Sequence, residues 1–130
     1  MSISIQDLQK LATDLSNGAG ECEWRSAASR GYYSMFHKAL EVADACLPPN
    51  PYAQGEHEKL TDRLKQEGRK GMSLAYRLID QKKVRTKADY KLSEAFKQAD
   101  ATDLIANCPS IYQQADELLA HVNGQKAANP

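Results

Sequence analysis

The chain has 130 residues, a length that suits one domain with a single core and excludes two full domains. Hydrophobic residues make up 42% of it and charged residues 26%, a balance that excludes an intrinsically disordered chain. Lysine plus arginine and aspartate plus glutamate are equal at 17 each, so the net charge gives no long-range attraction to nucleic acid or anionic lipid.

Charge is distributed unevenly along the chain. Residues 1–58 hold eight acidic and four basic side chains, and residues 98–130 hold four acidic side chains and one basic side chain. Residues 59–97 between them hold five acidic and twelve basic side chains. A basic middle segment therefore separates two acidic ones, and any anionic partner is expected to bind there.

The spacing of apolar residues predicts an all-α fold, an antiparallel bundle of four or five helices. Ser4 is expected to cap a first helix that ends at Asn17-Gly18. A long helix that lines the core is expected from about Cys22 to Leu47, with Tyr32 packed on its apolar face. The run Pro48-Pro49-Asn50-Pro51 ends this helix, because proline opposes helical continuation.

The second half of the chain has weaker patterns. Helices are expected over Glu56 to Gln66 and over Met72 to Ile79, joined by a basic turn at residues 68–71. The segment from Lys82 to Lys97 has no clear period and is predicted to be a loop with one turn of helix at most. A last helix, kinked or restarted at Pro109, is expected to reach Gly124, which gives one domain over residues 1–124 and a frayed tail over residues 125–130.

The chain shows no basic segment followed by an apolar run at its start, and no stretch approaches the roughly 20 apolar residues of a membrane helix. A cytoplasmic protein without membrane contact is therefore expected. Cys22, Cys46 and Cys108 form no C-x-x-C pair, so they are expected to pack within the fold and not in a disulfide or zinc site. No metal or cofactor is expected, because His57 begins an H-E-x-x-H pattern whose second histidine is replaced by Thr61.

One face of the long helix carries polar side chains suited to phosphate chemistry. Arg30, Tyr33 and His37 are spaced i, i+3 and i+7, on a stripe that faces away from the apolar one. A guanidinium binds phosphate oxygens and an imidazole moves a proton near neutral pH, so Arg30 and His37 are catalytic candidates and Tyr33 a binding candidate. About two turns, or ~10 Å, separate the pair, so one phosphate contacts both through the reach of arginine or with a second subunit's help. The alternative is a solvated face or a dimer seam, which is commoner on a bundle helix.

A second candidate is the basic segment between residues 82 and 91, where five cations lie within ten residues. Cations can bind phosphates and an interleaved tyrosine can stack a nucleobase, so this segment is a candidate site for RNA or a nucleotide. A solvated basic loop is the alternative. The candidate binding residues are Lys82, Lys83, Arg85, Lys87 and Tyr90.

These two segments resemble motifs of the small stand-alone HEPN (higher eukaryotes and prokaryotes nucleotide-binding) domains. Arg30 to His37 resembles the family's R-x-Y-Y-x-x-F-H helix, and Arg85 to Tyr90 resembles its R-x-x-A-D-Y segment, in the same order and at a similar separation. The likeness covers about residues 5–122. It implies a HEPN-like helical bundle that forms a homodimer and is often encoded beside a small nucleotidyltransferase, its partner protein in a toxin-antitoxin pair.

In the ribonuclease branch of that family, an arginine is followed after four to six residues by a histidine, and both subunits contribute this pair to one cleft. Arg85 has no histidine at that distance, whereas Arg30 and His37 have six intervening residues but lie in the earlier helix. The resemblance implies a protein that binds RNA or a nucleotide, with metal-independent ribonuclease activity in a toxin-antitoxin or defence system left open. The alternative is a non-catalytic dimeric interaction module that pairs with the nucleotidyltransferase.

Overall fold

The structure is a computed structural model that describes residues 2–52 and 55–128, and these residues form six helices. The helices are α1 (Ile5–Ser16), α2 (Glu21–Cys46), α3 (Glu56–Lys65), α4 (Gly68–Tyr90), α5 (Gln98–Ala106) and α6 (Cys108–Ala128). Helix α2 lies at the centre and packs against each of the other five. The predicted all-α helical bundle is confirmed, although the described residues form six helices and not the expected four or five. No helix in the described part of the chain is both long and apolar enough to cross a membrane.

The first half of the bundle follows the sequence prediction closely. Ser4 caps α1 as expected: its hydroxyl oxygen accepts a hydrogen bond from the Asp7 amide at 3.1 Å, and the Asp7 carboxylate accepts one from the Ser4 amide at 2.8 Å. Helix α2 ends at Cys46, just before the proline run, and Tyr32 on its inner face is buried. Cys46 and Cys108 pack in the core as predicted, whereas Cys22 is exposed and the prediction for it is wrong.

The junction of α3 and α4 depends on two glycines. Gly68, with φ +67°, takes the left-handed conformation that favours glycine and begins α4, so the predicted basic turn is already helical from this residue. Gly71 allows the two helices to approach closely, since a Cβ atom there would lie 2.0 Å from the carbonyl oxygen of Leu64.

The prediction of a loop from Lys82 to Lys97 is wrong for residues 82–90, because α4 continues as a helix to Tyr90, and it is confirmed for residues 91–97, which lie outside the helices. The inward positions of its second half are Arg85 and Ala88, which follow Leu78 on the same buried face. An arginine at a core position interrupts the apolar period on which the sequence prediction rests. Tertiary contacts therefore hold a helix whose sequence has no clear amphipathic signal.

Arg25 of α2 closes the C-terminal end of α4. Its guanidinium is buried and donates hydrogen bonds to the carbonyl oxygens of Lys87 at 3.1 Å and Ala88 at 3.0 Å. It donates further bonds to the carbonyls of Lys91, at 3.3 Å, and Glu94. The last carbonyls of a helix have no partner within the helix, so this side chain satisfies them and anchors the end of α4 on α2.

Helices α5 and α6 are separated by Asn107 alone, and Pro109 lies in the first turn of α6, consistent with the predicted restart. Helix α6 does not end at Gly124 but continues to Ala128, and the Lys126 ammonium donates a hydrogen bond to the Cys46 carbonyl at 3.1 Å. The predicted frayed tail is thus helical over residues 125–128, while residues 129 and 130 lie outside the described residues. The contact explains the longer helix, because it ties the last turns of α6 to the end of α2.

Candidate functional site

The predicted row of polar side chains is present on the outer face of α2. Arg30 and His37 are exposed and Tyr33 is half-buried between them. The Arg30 guanidinium carbon lies 5.6 Å from the centre of the Tyr33 ring, and that ring lies 6.5 Å from the ring of His37. A guanidinium, a phenol and an imidazole therefore stand side by side, which is an arrangement able to bind an anion, stack a flat group and transfer a proton.

His37 also lines a groove of about 520 Å³ between the start of α1 and the second half of α2. The walls of this groove present more apolar than polar surface. The apolar residues that line it are Ile3, Ile5, Leu8 and Leu40. Ile3 is 59% exposed, so one wall of the groove presents an uncovered apolar side chain beside the imidazole.

Arg85 is buried, with 9% of its surface exposed, and does not project into solvent as a phosphate-binding side chain. Its guanidinium carbon lies 5.5 Å from the ring centres of both Tyr32 and Tyr33 and 5.7 Å from that of Tyr90. It also makes a 3.5 Å ion pair with Asp89, one turn later in α4. Arg85 therefore holds three aromatic rings together, a cation–π arrangement that is strengthened by burial.

The contact between α2 and α4 joins the two segments that carry the family resemblance. In addition to the stacking of Arg85 on Tyr32 and Tyr33, the Ser29 hydroxyl donates a hydrogen bond to the Asp89 carboxylate at 3.1 Å. The two segments are more than 45 residues apart in the sequence but form one polar and aromatic cluster in the fold.

The remaining predicted binding residues lie on the second half of α4. Lys82 and Lys83 line one shallow groove together with Lys91, and Lys87 is half-buried on a neighbouring position of the helix. Tyr90 is 72% exposed at the end of α4 and has one ring face toward Arg85. The cations of this basic segment are therefore spaced along one helix. The segment lies beside the row of Arg30, Tyr33 and His37, as shown by Arg85, which contacts both Tyr33 of α2 and Tyr90 at the end of α4.

Sequence reasoning missed His57, which was considered only as a metal ligand. In α3 it lies on the same face as the buried Leu60 and Leu64, and its Nδ1 is hydrogen-bonded to the Tyr32 hydroxyl, with the two rings 5.9 Å apart. The signal that identifies it is this i, i+3 and i+7 spacing, which points the imidazole toward the core.

The protonation of this pair follows from its surroundings. Burial raises the pKa of Tyr32, and the opposing effect of Arg85 is smaller, so the phenol keeps its proton. Burial, followed by the charges of Lys82, Arg85 and Lys65, lowers the pKa of His57 to about 4, so the imidazole is neutral at pH 7. Because Nδ1 is engaged by the Tyr32 hydroxyl, Nε2 is the ring nitrogen that this bond leaves available.

Comparison with known proteins gives no match: no family model, no curated protein and no solved structure is similar to this chain. Within residues 2–52 and 55–128, no group of three or more histidine, cysteine, aspartate or glutamate side chains is placed to hold a metal ion. A functional assignment therefore depends on the geometry of the side chains described above.

Proposed function

We propose that this chain is a HEPN-like homodimeric protein of the cytoplasm that binds RNA or a nucleotide. The observation that carries the proposal is the packing of its two motif-like segments against each other, with Arg85 stacked on Tyr32 and Tyr33 and Asp89 bonded to Ser29. Because α2 packs against every other helix, the support comes from the specific pairing of motif side chains and not from the contact of α2 with α4 alone. This pairing supports a common origin for the pattern and a shared site.

The exposed row on α2 provides the chemistry for such a site. Arg30 is the guanidinium with access to a phosphate, Tyr33 offers a ring for a base, and His37 offers an imidazole nitrogen as a proton donor or acceptor. In metal-independent RNA cleavage, His37 acts as general base or acid and Arg30 stabilises the charge of the phosphorane-like transition state. Buried Arg85 acts as a positioning residue that fixes the Tyr33 ring. A second subunit completes the cleft, because one helix keeps Arg30 and His37 about two turns apart.

The basic face of α4 extends the binding surface. Lys82, Lys83 and Lys87 supply charge for the sugar-phosphate backbone, and the exposed ring of Tyr90 supplies a stacking surface. Each phosphate contact with a single-stranded RNA contributes about 0.7 to the slope of the logarithm of affinity against the logarithm of salt concentration. Three or four contacts therefore give a slope of about −2 to −3, which distinguishes backbone binding from a single ion pair.

The test is an RNA cleavage and binding assay with purified protein. Arg30→Ala and His37→Ala are each expected to abolish cleavage of a structured RNA while circular dichroism and the melting temperature remain those of the parent. Arg69→Ala and His121→Ala are matched controls, because both residues are exposed and lie away from the α2 row, and these variants are expected to cleave normally. Equal activity of all four variants and the parent eliminates the site. Light scattering measures whether the active species is a dimer.

A second candidate function is a non-catalytic interaction module that pairs with a small nucleotidyltransferase. The apolar groove beside His37 favours it, because uncovered apolar side chains such as Ile3 are typical of protein contacts. In this function the row on α2 is a dimer seam and the basic face of α4 contacts an acidic partner. A salt titration of RNA binding separates the two: the absence of RNA binding at low salt, together with a dimer that dissociates on Ile3→Asp substitution, supports the module.

A further inference from the structure

We propose that the groove between the first turn of α3 and the second half of α4 binds a terminal phosphate group, a phosphomonoester carried by a nucleotide or by the 5′ end of an RNA. This inference rests on the proposed RNA- or nucleotide-binding function and names the part of the ligand that this groove recognises. The groove has a volume of about 350 Å³ and is lined by His57, Ile79, Lys82, Lys83, Thr86 and Lys91.

The polar groups that line the groove are hydrogen-bond donors that suit an anion. Three ammonium groups, a hydroxyl and an imidazole face it, and no carboxylate lines it among the described residues. Lys83 makes a 3.9 Å ion pair with Asp80, but both side chains are more than 70% exposed and such a pair is easily exchanged for a ligand. Lys82 and Thr86 are one turn apart and therefore project from the same face of α4.

His57 gives the groove one imidazole of fixed orientation. The Tyr32 hydroxyl bonds to Nδ1, so the ring cannot turn freely and Nε2 is the nitrogen left for a ligand. Tyr32 is in turn held in the core by Arg85. A buried partner that sets the tautomer and the direction of a histidine is the arrangement by which proteins prepare an imidazole for a ligand.

The charge of the groove selects between kinds of phosphate. A phosphomonoester carries a charge of about −1.5 to −2 at pH 7 and has three free oxygens, whereas an internal diester carries one charge and has two. The groove offers three ammonium groups, the Thr86 hydroxyl and the His57 imidazole, which is more than the single charge and two free oxygens of a diester can pair with. A terminal phosphate, with its larger charge and third oxygen, is therefore expected to bind here more tightly than a diester. The positive charges of Lys82 and Arg85 disfavour the protonated form of His57. A bound phosphate dianion counteracts this effect because its charge is negative.

The experiment compares two RNA decamers of identical sequence, one with a 5′-phosphate and one with a 5′-hydroxyl, by fluorescence anisotropy, together with titrations of adenosine monophosphate and sulfate. The parent is expected to bind the 5′-phosphorylated RNA about tenfold more tightly, the effect of a few charge-assisted hydrogen bonds. Lys82→Ala and Thr86→Ala are expected to bring this ratio close to one. Lys70→Ala removes an exposed lysine from the opposite end of α4 and is expected to keep the ratio.

An NMR titration of the His57 imidazole adds a readout that does not depend on RNA. Its pKa is expected to rise when adenosine monophosphate binds and to stay unchanged with adenosine. RNA binding with equal affinity for the two decamers overturns the inference and leaves the proposed function standing. Binding of adenosine monophosphate with a shifted His57, but without RNA binding, supports the groove and overturns the RNA function. Sulfate competing as well as adenosine monophosphate overturns the inference, because the groove is then a non-selective anion site.

Discussion

The Tyr32–His57 pair predicts how the stability of the fold depends on pH. In the unfolded chain an imidazole takes up a proton below its ordinary pKa of 6.5, whereas the pKa of His57 in the folded protein is lowered to about 4, chiefly by burial and then by Lys82 and Arg85. Between these values the unfolded state binds the additional proton. Stability from this group is therefore fully present above about pH 6.5 and is lost as the pH falls toward 4.

The magnitude follows from the difference between the two pKa values. At ~1.4 kcal/mol for each tenfold change in proton affinity, the full difference corresponds to ~3 kcal/mol. His57 is half-buried, so solvent screening reduces the expected loss to ~1–2 kcal/mol over the whole range and ~1 kcal/mol between pH 7 and pH 5. Carboxylates titrate mostly below pH 5, so this interval separates histidine protonation from theirs.

Urea unfolding at pH 7, 6 and 5, followed by circular dichroism, measures this loss. The parent is expected to lose ~1 kcal/mol more than His57→Gln between pH 7 and pH 5, because the amide does not take up a proton. His121→Gln is a matched control, since this side chain is exposed on α6 and the parent's slope should persist. The same dependence on pH in the parent and in His57→Gln refutes the reasoning and the buried pair on which it rests.

Four further substitutions test individual features of the fold. Gly71→Ala places a Cβ atom 2.0 Å from the Leu64 carbonyl oxygen and is expected to lower the free energy of unfolding by ~2–4 kcal/mol in the same urea experiment. Gly124 lies in the interior of α6 with open space around it, so Gly124→Ala should raise the free energy of unfolding by ~0.5–1 kcal/mol. Arg25→Lys removes the fork that bonds four carbonyls and should cost ~2–4 kcal/mol, with faster amide hydrogen exchange confined to the last turn of α4; uniform exchange would contradict this role. Ser4→Ala should cost ~1 kcal/mol by calorimetry, and an unchanged melting temperature would show that the α1 cap contributes nothing.

The sequence alone predicts those parts of the fold in which neighbours along the chain decide the structure. The α1 cap needs only Ser4 and Asp7, three residues apart, and α2 needs only an apolar stripe and the proline run that follows it. The exposure of Arg30 and His37 follows from the same periodicity, because residues opposite an apolar stripe face outward, whereas Tyr33 between them is half-buried against Arg85.

The second half of the site could not be predicted in this way. Arg85 occupies a core position of α4, so a binary pattern of apolar and polar residues reports a loop where the helix continues. The bond between Tyr32 and His57 joins residues 25 apart in the sequence, and although helical spacing places each ring on an inward face, no local pattern pairs the two.

Local sequence determined where α1 and α2 begin and end and which of their side chains face solvent, because helical periodicity and capping act over a few residues. Only the tertiary structure decided that α4 remains helical through its basic half and that Arg85 contacts three tyrosine rings. It also decided that His57 lines a groove together with three lysines. The physical reason is that burial of a polar side chain is stabilised by partners on other helices, such as Asp89 with Ser29 or His57 with Tyr32. The two members of each pair are 60 and 25 residues apart, which is too far for a local sequence pattern to relate them.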